Sequence, residues 1–111
     1  MSISAVVDAA RHLRLDFGDG VFAFTFYTSD GDEWEGCLEE WIGNGDAASD
    51  GNSTVRYNDR DYVEIGSSGG GADIVFVRDD GAICYLNDYD QRMSEVAVSL
   101  EDFVGILRRP A

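Results

Sequence analysis

Residues 62–107, YVEIGSSGGGADIVFVRDDGAICYLNDYDQRMSEVAVSLEDFVGIL, carry the clearest patterning of apolar and polar positions in the chain. Apolar runs at 62–65, 74–77 and 82–86 are separated by turn residues, which predicts successive strands. Ile74, Val75, Phe76 and Val77 are apolar on both faces, the mark of a central strand covered from both sides. Asp80-Gly81 predicts a tight antiparallel hairpin, and residues 95–98 a brief edge strand. GSSGGG at 66–71 reads as a connector, because glycine takes positive φ at no steric cost. A helix closes the series. Ser99 is its N-cap, and Glu101 and Asp102 lie in the first turn, where acids suit the helix dipole. Val98 and Phe103 take the positions of a hydrophobic staple. Leu100, Phe103, Val104 and Leu107 share one face, Arg108 and Arg109 complement the C-terminal end, and Pro110 stops the helix.

The first half is less regular. Residues 4–11 read as a short helix capped by Ser2 or Ser4, with Val6, Ala9, Ala10 and Leu13 on one face. From Leu13 the period becomes two: Leu13, Leu15 and Phe17 alternate with Arg14 and Asp16. Gly18-Asp19-Gly20 then turns the chain into a second strand at 21–28 that buries Phe22, Phe24 and Phe26. Trp34, Leu38, Trp41 and Ile42 recur at helical spacing with Gly43 as a stop, so a helix is the preferred reading of 32–42. The alternative is a strand, with Gly36 and Glu40 on the face of Trp34, Leu38 and Ile42. Residues 43–53 lack periodicity and read as a mobile acidic, glycine-rich loop. A short strand at 54–57 and a turn at Asn58-Asp59 complete the series. Residues 1–111 are thus expected to form a single α+β domain, mainly antiparallel sheet, with a capped C-terminal helix and one or two further short helices.

Composition changes the picture through charge. The 111 residues suffice for one modest core, and an apolar content of 44% is that of a folded protein. Asp and Glu number 22 against 8 basic residues, for a net charge of −14, and all the basic residues are arginine. Without lysine there is no Schiff-base nucleophile, no pyridoxal-phosphate anchor and no P-loop. The negative field disfavours direct nucleic-acid binding and suits a basic protein partner, or serves solubility in a salt-adapted host. Eight of the acids lie at 30–50, a window with no basic residue. Cys37 and Cys84 form no metal or redox spacing and read as reduced, buried thiols. There is no signal peptide pattern and no apolar run long enough for a membrane helix, so a cytoplasmic location with no membrane contact is expected.

Candidate chemistry is sparse. His12 is the only histidine, and nothing in the sequence places a nucleophile or carboxylate beside it. Zinc would need scattered ligands. DGDEWEG fails as a calcium loop, because from Asp30 the required positions fall on Trp34, Glu35 and Trp41. The pairs Glu39/Glu40, Asp79/Asp80 and Asp88/Asp90 read as solvated surface carboxylates. No catalytic residue, cofactor or metal is therefore expected. Tyr62 and Tyr85 are expected within the sheet. Trp34 and Trp41 amid the acids suggest a binding patch in which aromatics anchor and charges steer, although at least one of them is expected in the core. The candidate partner-binding residues are Asp30, Asp32, Glu33, Trp34, Glu35, Glu39, Glu40, Trp41, Asp46 and Asp50.

The stretch 62–107 also resembles the C-terminal half of the SUKH superfamily, the Smi/Knr-like proteins. The matching features are Tyr62-Val-Glu-Ile65-Gly66, the glycine-rich 67–71, the strand at 73–78, Asp80-Gly81, Ile83-Cys-Tyr85 and Ser99-Leu-Glu-Asp-Phe103. The first half lacks the family's Leu-Pro pair and Asn-Gly-Gly turn. The resemblance implies an α+β domain without catalytic residues, often a bacterial immunity protein that neutralises a toxin, many such toxins being nucleases with basic sites. The expected function is a non-catalytic acidic binding protein, an immunity protein that covers the basic surface of a cognate toxin. The alternative is a nucleic-acid mimic that inhibits a DNA-binding protein. An enzyme would need a cleft holding His12 and a carboxylate.

Overall fold

The computed structural model describes residues 3–18, 20–28, 30–44, 54–68, 73–87 and 91–109. The alternation around the three phenylalanines becomes strand β1 (Phe22–Tyr27), with Phe24 and Phe26 buried and Tyr27 exposed. Its partner is β2 (Glu33–Leu38), antiparallel in the register Phe22–Leu38, Phe24–Gly36 and Phe26–Trp34. The helix preferred over 32–42 is thus corrected to strand, and the reason lies at Gly36. A Cβ on Gly36 would stand 2.5 Å from Cε2 of Phe24, so the glycine leaves the space that the ring fills. Trp34, Gly36 and Leu38 line the core side of the hairpin, and Glu33, Glu35 and Cys37 the other.

Residues 13–17 are also corrected. They keep the alternating burial of a strand but join no sheet. Side chains supply the bonds a neighbouring strand would have made. The Asn44 amide accepts from the Leu15 N–H at 3.0 Å and donates to the Leu15 carbonyl at 2.8 Å. The Trp41 indole N–H donates to the Leu13 carbonyl at 2.9 Å.

The larger sheet is built on β5 (Arg60–Ser67), which pairs antiparallel with β6 (Ile74–Arg78). β7 (Ile83–Leu86) and β8 (Met93–Ala97) follow in order, each antiparallel to the one before. The other edge of β5 is shared by two short strands, β3 (Glu40–Trp41) and β4 (Thr54–Tyr57). Asn58 and Asp59, at φ of 50° and 63°, make the two-residue turn from β4 to β5. Gly81, at φ of 92°, turns β6 into β7 as expected from Asp80-Gly81. Glu39 donates its N–H to the Ser67 carbonyl at 2.9 Å, so the stretch from β2 to β3 leaves the hairpin and joins the large sheet. A 3-10 turn (Ile42–Asn44) follows; residues 45–53 of the expected loop and residues 69–72 of the connector lie outside the described residues.

The core lies between the hairpin, one face of the large sheet and two helices. Helix α1 (Ile3–Arg11) buries Val6, Val7 and Ala10, while Ala9 faces solvent and Ser4 sits inside the helix, not at its cap. Helix α2 (Leu100–Ile106) has Ser99 as N-cap, accepting from the Asp102 N–H at 3.1 Å. Phe103 is fully buried, edge-on to Phe24 and stacked on Trp41. Two expectations fail at its ends. Val98 is 69% exposed, so no staple to Phe103 forms. Arg108 and Arg109 leave the helix axis and tie the C-terminal segment to the hairpin. The result is an α+β domain with eight strands among the described residues, and none of its helices is long and apolar enough to cross a membrane.

Candidate functional site

The acidic window is carried by the hairpin. In β2 the period-two alternation sends Glu33, Glu35 and Cys37 to the side away from the core, opposite Tyr27, Thr25 and Ala23 of β1. Tyr27 is the most exposed aromatic residue of the hairpin at 60%, and its hydroxyl donates to Glu33 Oε1 at 3.2 Å. The connecting turn holds Asp30 and Asp32 beside this face: Gly31 takes φ of 87°, and the Thr28 N–H donates to the Asp32 carbonyl at 3.0 Å. Exposed Glu39 follows where the chain changes sheets.

The arginines are spent unevenly over the surface. Arg78 holds Asp80 at 2.7 Å and Glu95 at 2.7 Å, and Arg60 holds Asp79 at 2.6 Å. These charge-assisted bonds hold the Asp79 and Asp80 carboxyls well below the usual carboxylate range. Beside the hairpin, Arg108 binds Glu35 at 2.6 Å and Arg92 reaches Asp30 at 3.4 Å. Asp32, Glu33 and Glu39 have no ion pair among the described residues, so this side keeps uncompensated negative charge.

The structure therefore brings together Asp30, Asp32, Glu33 and Glu35, with Glu39 at the end of the row. Glu40 turns to the opposite face of the large sheet, and Trp34 is half-buried against the core. Trp41 is removed from the patch: it is fully buried, stacked on Phe103 at 6.2 Å between ring centroids and bonded to Leu13. Asp46 and Asp50 lie outside the described residues. Tyr27 takes the aromatic position expected of the tryptophans. The signal was present, because residue 27 falls out of step with Phe22, Phe24 and Phe26.

The remaining reactive groups are structural in their surroundings. His12 is exposed, and its described partner is Asp8, whose carbonyl accepts from Nδ1 at 2.8 Å. The half-buried Cys37 thiol is pushed up by burial and then by the charges of Glu39, Asp73 and Glu35. Its backbone N–H donates to the Tyr85 hydroxyl at 3.3 Å, which in turn donates to Asp73 at 2.6 Å. Burial pushes the Cys84 thiol up to about 12. Neither thiol is held as a thiolate, the nucleophilic form. No group of three or more potential metal ligands occurs among the described residues. Comparison with known protein families, characterised proteins and solved structures finds no match to this chain.

Proposed function

We propose that the chain is a non-catalytic binding protein that covers a basic surface of a partner protein with the outer face of its β1–β2 hairpin. On this reading it serves as an immunity protein of the Smi/Knr-like kind and neutralises a toxin. The observation that carries the reading is Tyr27, 60% exposed and bonded to Glu33 within a row of carboxylates of which Asp32, Glu33 and Glu39 have no ion pair among the described residues. An exposed ring supplies an anchor that can be desolvated, and the surrounding charges steer a basic partner to it. A nucleic-acid mimic needs an unbroken run of carboxylates. Here Cys37 interrupts the row Glu33, Glu35, Glu39, and Arg108 neutralises Glu35, so a protein partner is the better fit.

Co-expression with the protein encoded beside it tests the reading. The neighbour alone is expected to arrest growth, and this chain to restore it, with rescue lost in Tyr27→Ala/Glu33→Gln. A neighbour without toxicity, or rescue that survives the double substitution, overturns it.

A further inference from the structure

Glu40, Glu64 and Ser67 meet on the face of the large sheet that points away from the main core. Trp41 enters the core, so Glu40, its neighbour in β3, points the other way. Glu40 stands directly opposite Ser67 of β5, which puts both side chains on that outer face. Between Glu64 and Gly66 the ladder with β6 shifts by one residue. Ile65 takes up the shift and stays in the core, so Glu64 and Ser67 become successive outward residues of β5. Glu64 thereby lies diagonal to Glu40, within the range at which long side chains on adjacent strands interact.

All three groups lack partners among the described residues. Neither carboxylate has a hydrogen bond or ion pair, and the Ser67 hydroxyl is 1% exposed with none either. The Glu64 carboxyl is raised above its usual range, first by burial and then by the charge of Glu40. Arg78, on the same face, is committed to Asp80 and Glu95, and the chain has no lysine to offer. Facing carboxylates over an orphan hydroxyl destabilise a fold, and a bound cation with N–H donors reverses that.

We propose that Glu40, Glu64 and Ser67 form a socket for one basic side chain, lysine or arginine, of the partner protein. The source of the cation rests on the reading of the chain as a binder of basic partners. An ammonium carries three donors and no acceptor, which matches two carboxylates and a hydroxyl; a guanidinium spans the two carboxylates with its fork.

The test is an amide NMR titration of the whole chain with acetyl-Gly-Lys-Gly-amide, its arginine counterpart, an all-glycine control and calcium chloride. The lysine or the arginine peptide moves the Glu40, Glu64 and Ser67 signals saturably, and the tighter of the two identifies the donor. Glu64→Gln weakens that binding about tenfold or more, the weight of a lost charge-assisted bond. This variant removes a like-charge repulsion and so melts no lower than the wild type, which separates lost binding from unfolding. A response equal to the all-glycine control, a response unchanged in Glu64→Gln, or saturation by calcium in place of the peptides overturns the socket. The peptides do not touch the hairpin, so their failure leaves the hairpin reading standing. A failed growth rescue with the peptides still bound sinks the hairpin reading alone.

Discussion

Phe24 and Gly36 face each other across the β1–β2 hairpin, and the phenyl ring occupies the volume that a side chain at position 36 would need. The ring is fully buried and edge-on to Tyr85 and Phe103 at 5.1 and 5.3 Å between centroids, so it has nowhere to retreat. Gly36→Ala is therefore expected to destabilise by about 1–3 kcal/mol through overpacking, despite the better strand propensity of alanine. The denaturant midpoint reports it. The loss shrinks when Phe24→Leu is combined with it, and equal losses in both backgrounds would place the cause elsewhere.

The segment at 13–17 is held by side chains, so its attachment is open to single substitutions. Asn44→Ala removes both bonds to Leu15 and should cost about 1–3 kcal/mol. Trp41→Phe keeps most of the ring packing on Phe103 and leaves the Leu13 carbonyl without its donor, at about 1 kcal/mol or more. Amide exchange that accelerates at Leu15 in Asn44→Ala, with β6 protected as before, is the local signature; unchanged exchange at Leu15 contradicts the account.

At the start of α2 the cap and the staple separate cleanly. Ser99→Ala is expected to cost about 1 kcal/mol, and Phe103→Ala about 3–5 kcal/mol because the ring is fully buried. Val98→Ala should change the unfolding midpoint hardly at all, since that side chain is mostly in solvent. A cost at Val98 as large as that at Ser99 would show that the staple exists.

Stability should respond to pH in two opposite ways. Asp79 and Asp80 are held below the unfolded carboxylate value, so their contribution is present above about pH 3.9 and is lost as pH falls toward the folded values. Glu64 is raised, so its contribution is full below about pH 4.3 and is lost as pH rises through its folded value. Urea midpoints measured from pH 3 to 7 separate them. Asp79→Asn/Asp80→Asn flattens the acid limb, and Glu64→Gln removes the decline on the rising side. A Glu64→Gln profile superimposable on the wild type contradicts the second assignment.

Legibility in the sequence followed the range of the interactions. Asp80-Gly81 and the Ser99 cap are local chemistry, and both elements stand where their residues predict. The strand at 74–77 was readable because its apolar residues serve two faces, with Val75 and Val77 in the main core and Phe76 beside Tyr62 and Cys84. Partner choice was not readable. Trp34, Leu38 and Ile42 repeat every four residues, a spacing that fits a helix and also one face of a strand; only Phe24, brought in from β1, decides between them. Asn44 and Arg109 take over bonds that 13–17 would have made in a hairpin, and both partners are remote in sequence. Tyr27 could have been found from the alternation alone, whereas the joining of Glu40, Glu64 and Ser67 depends on the shift at Ile65.

Association kinetics test the central claim most directly. The rate constant for binding the protein encoded beside this chain should fall steeply between low and high salt, because the hairpin carboxylates steer the encounter. Glu33→Gln/Glu35→Gln/Glu39→Gln should slow it about tenfold or more at low salt. The same rate for wild type and variant at low ionic strength would show that the hairpin face does not meet the partner.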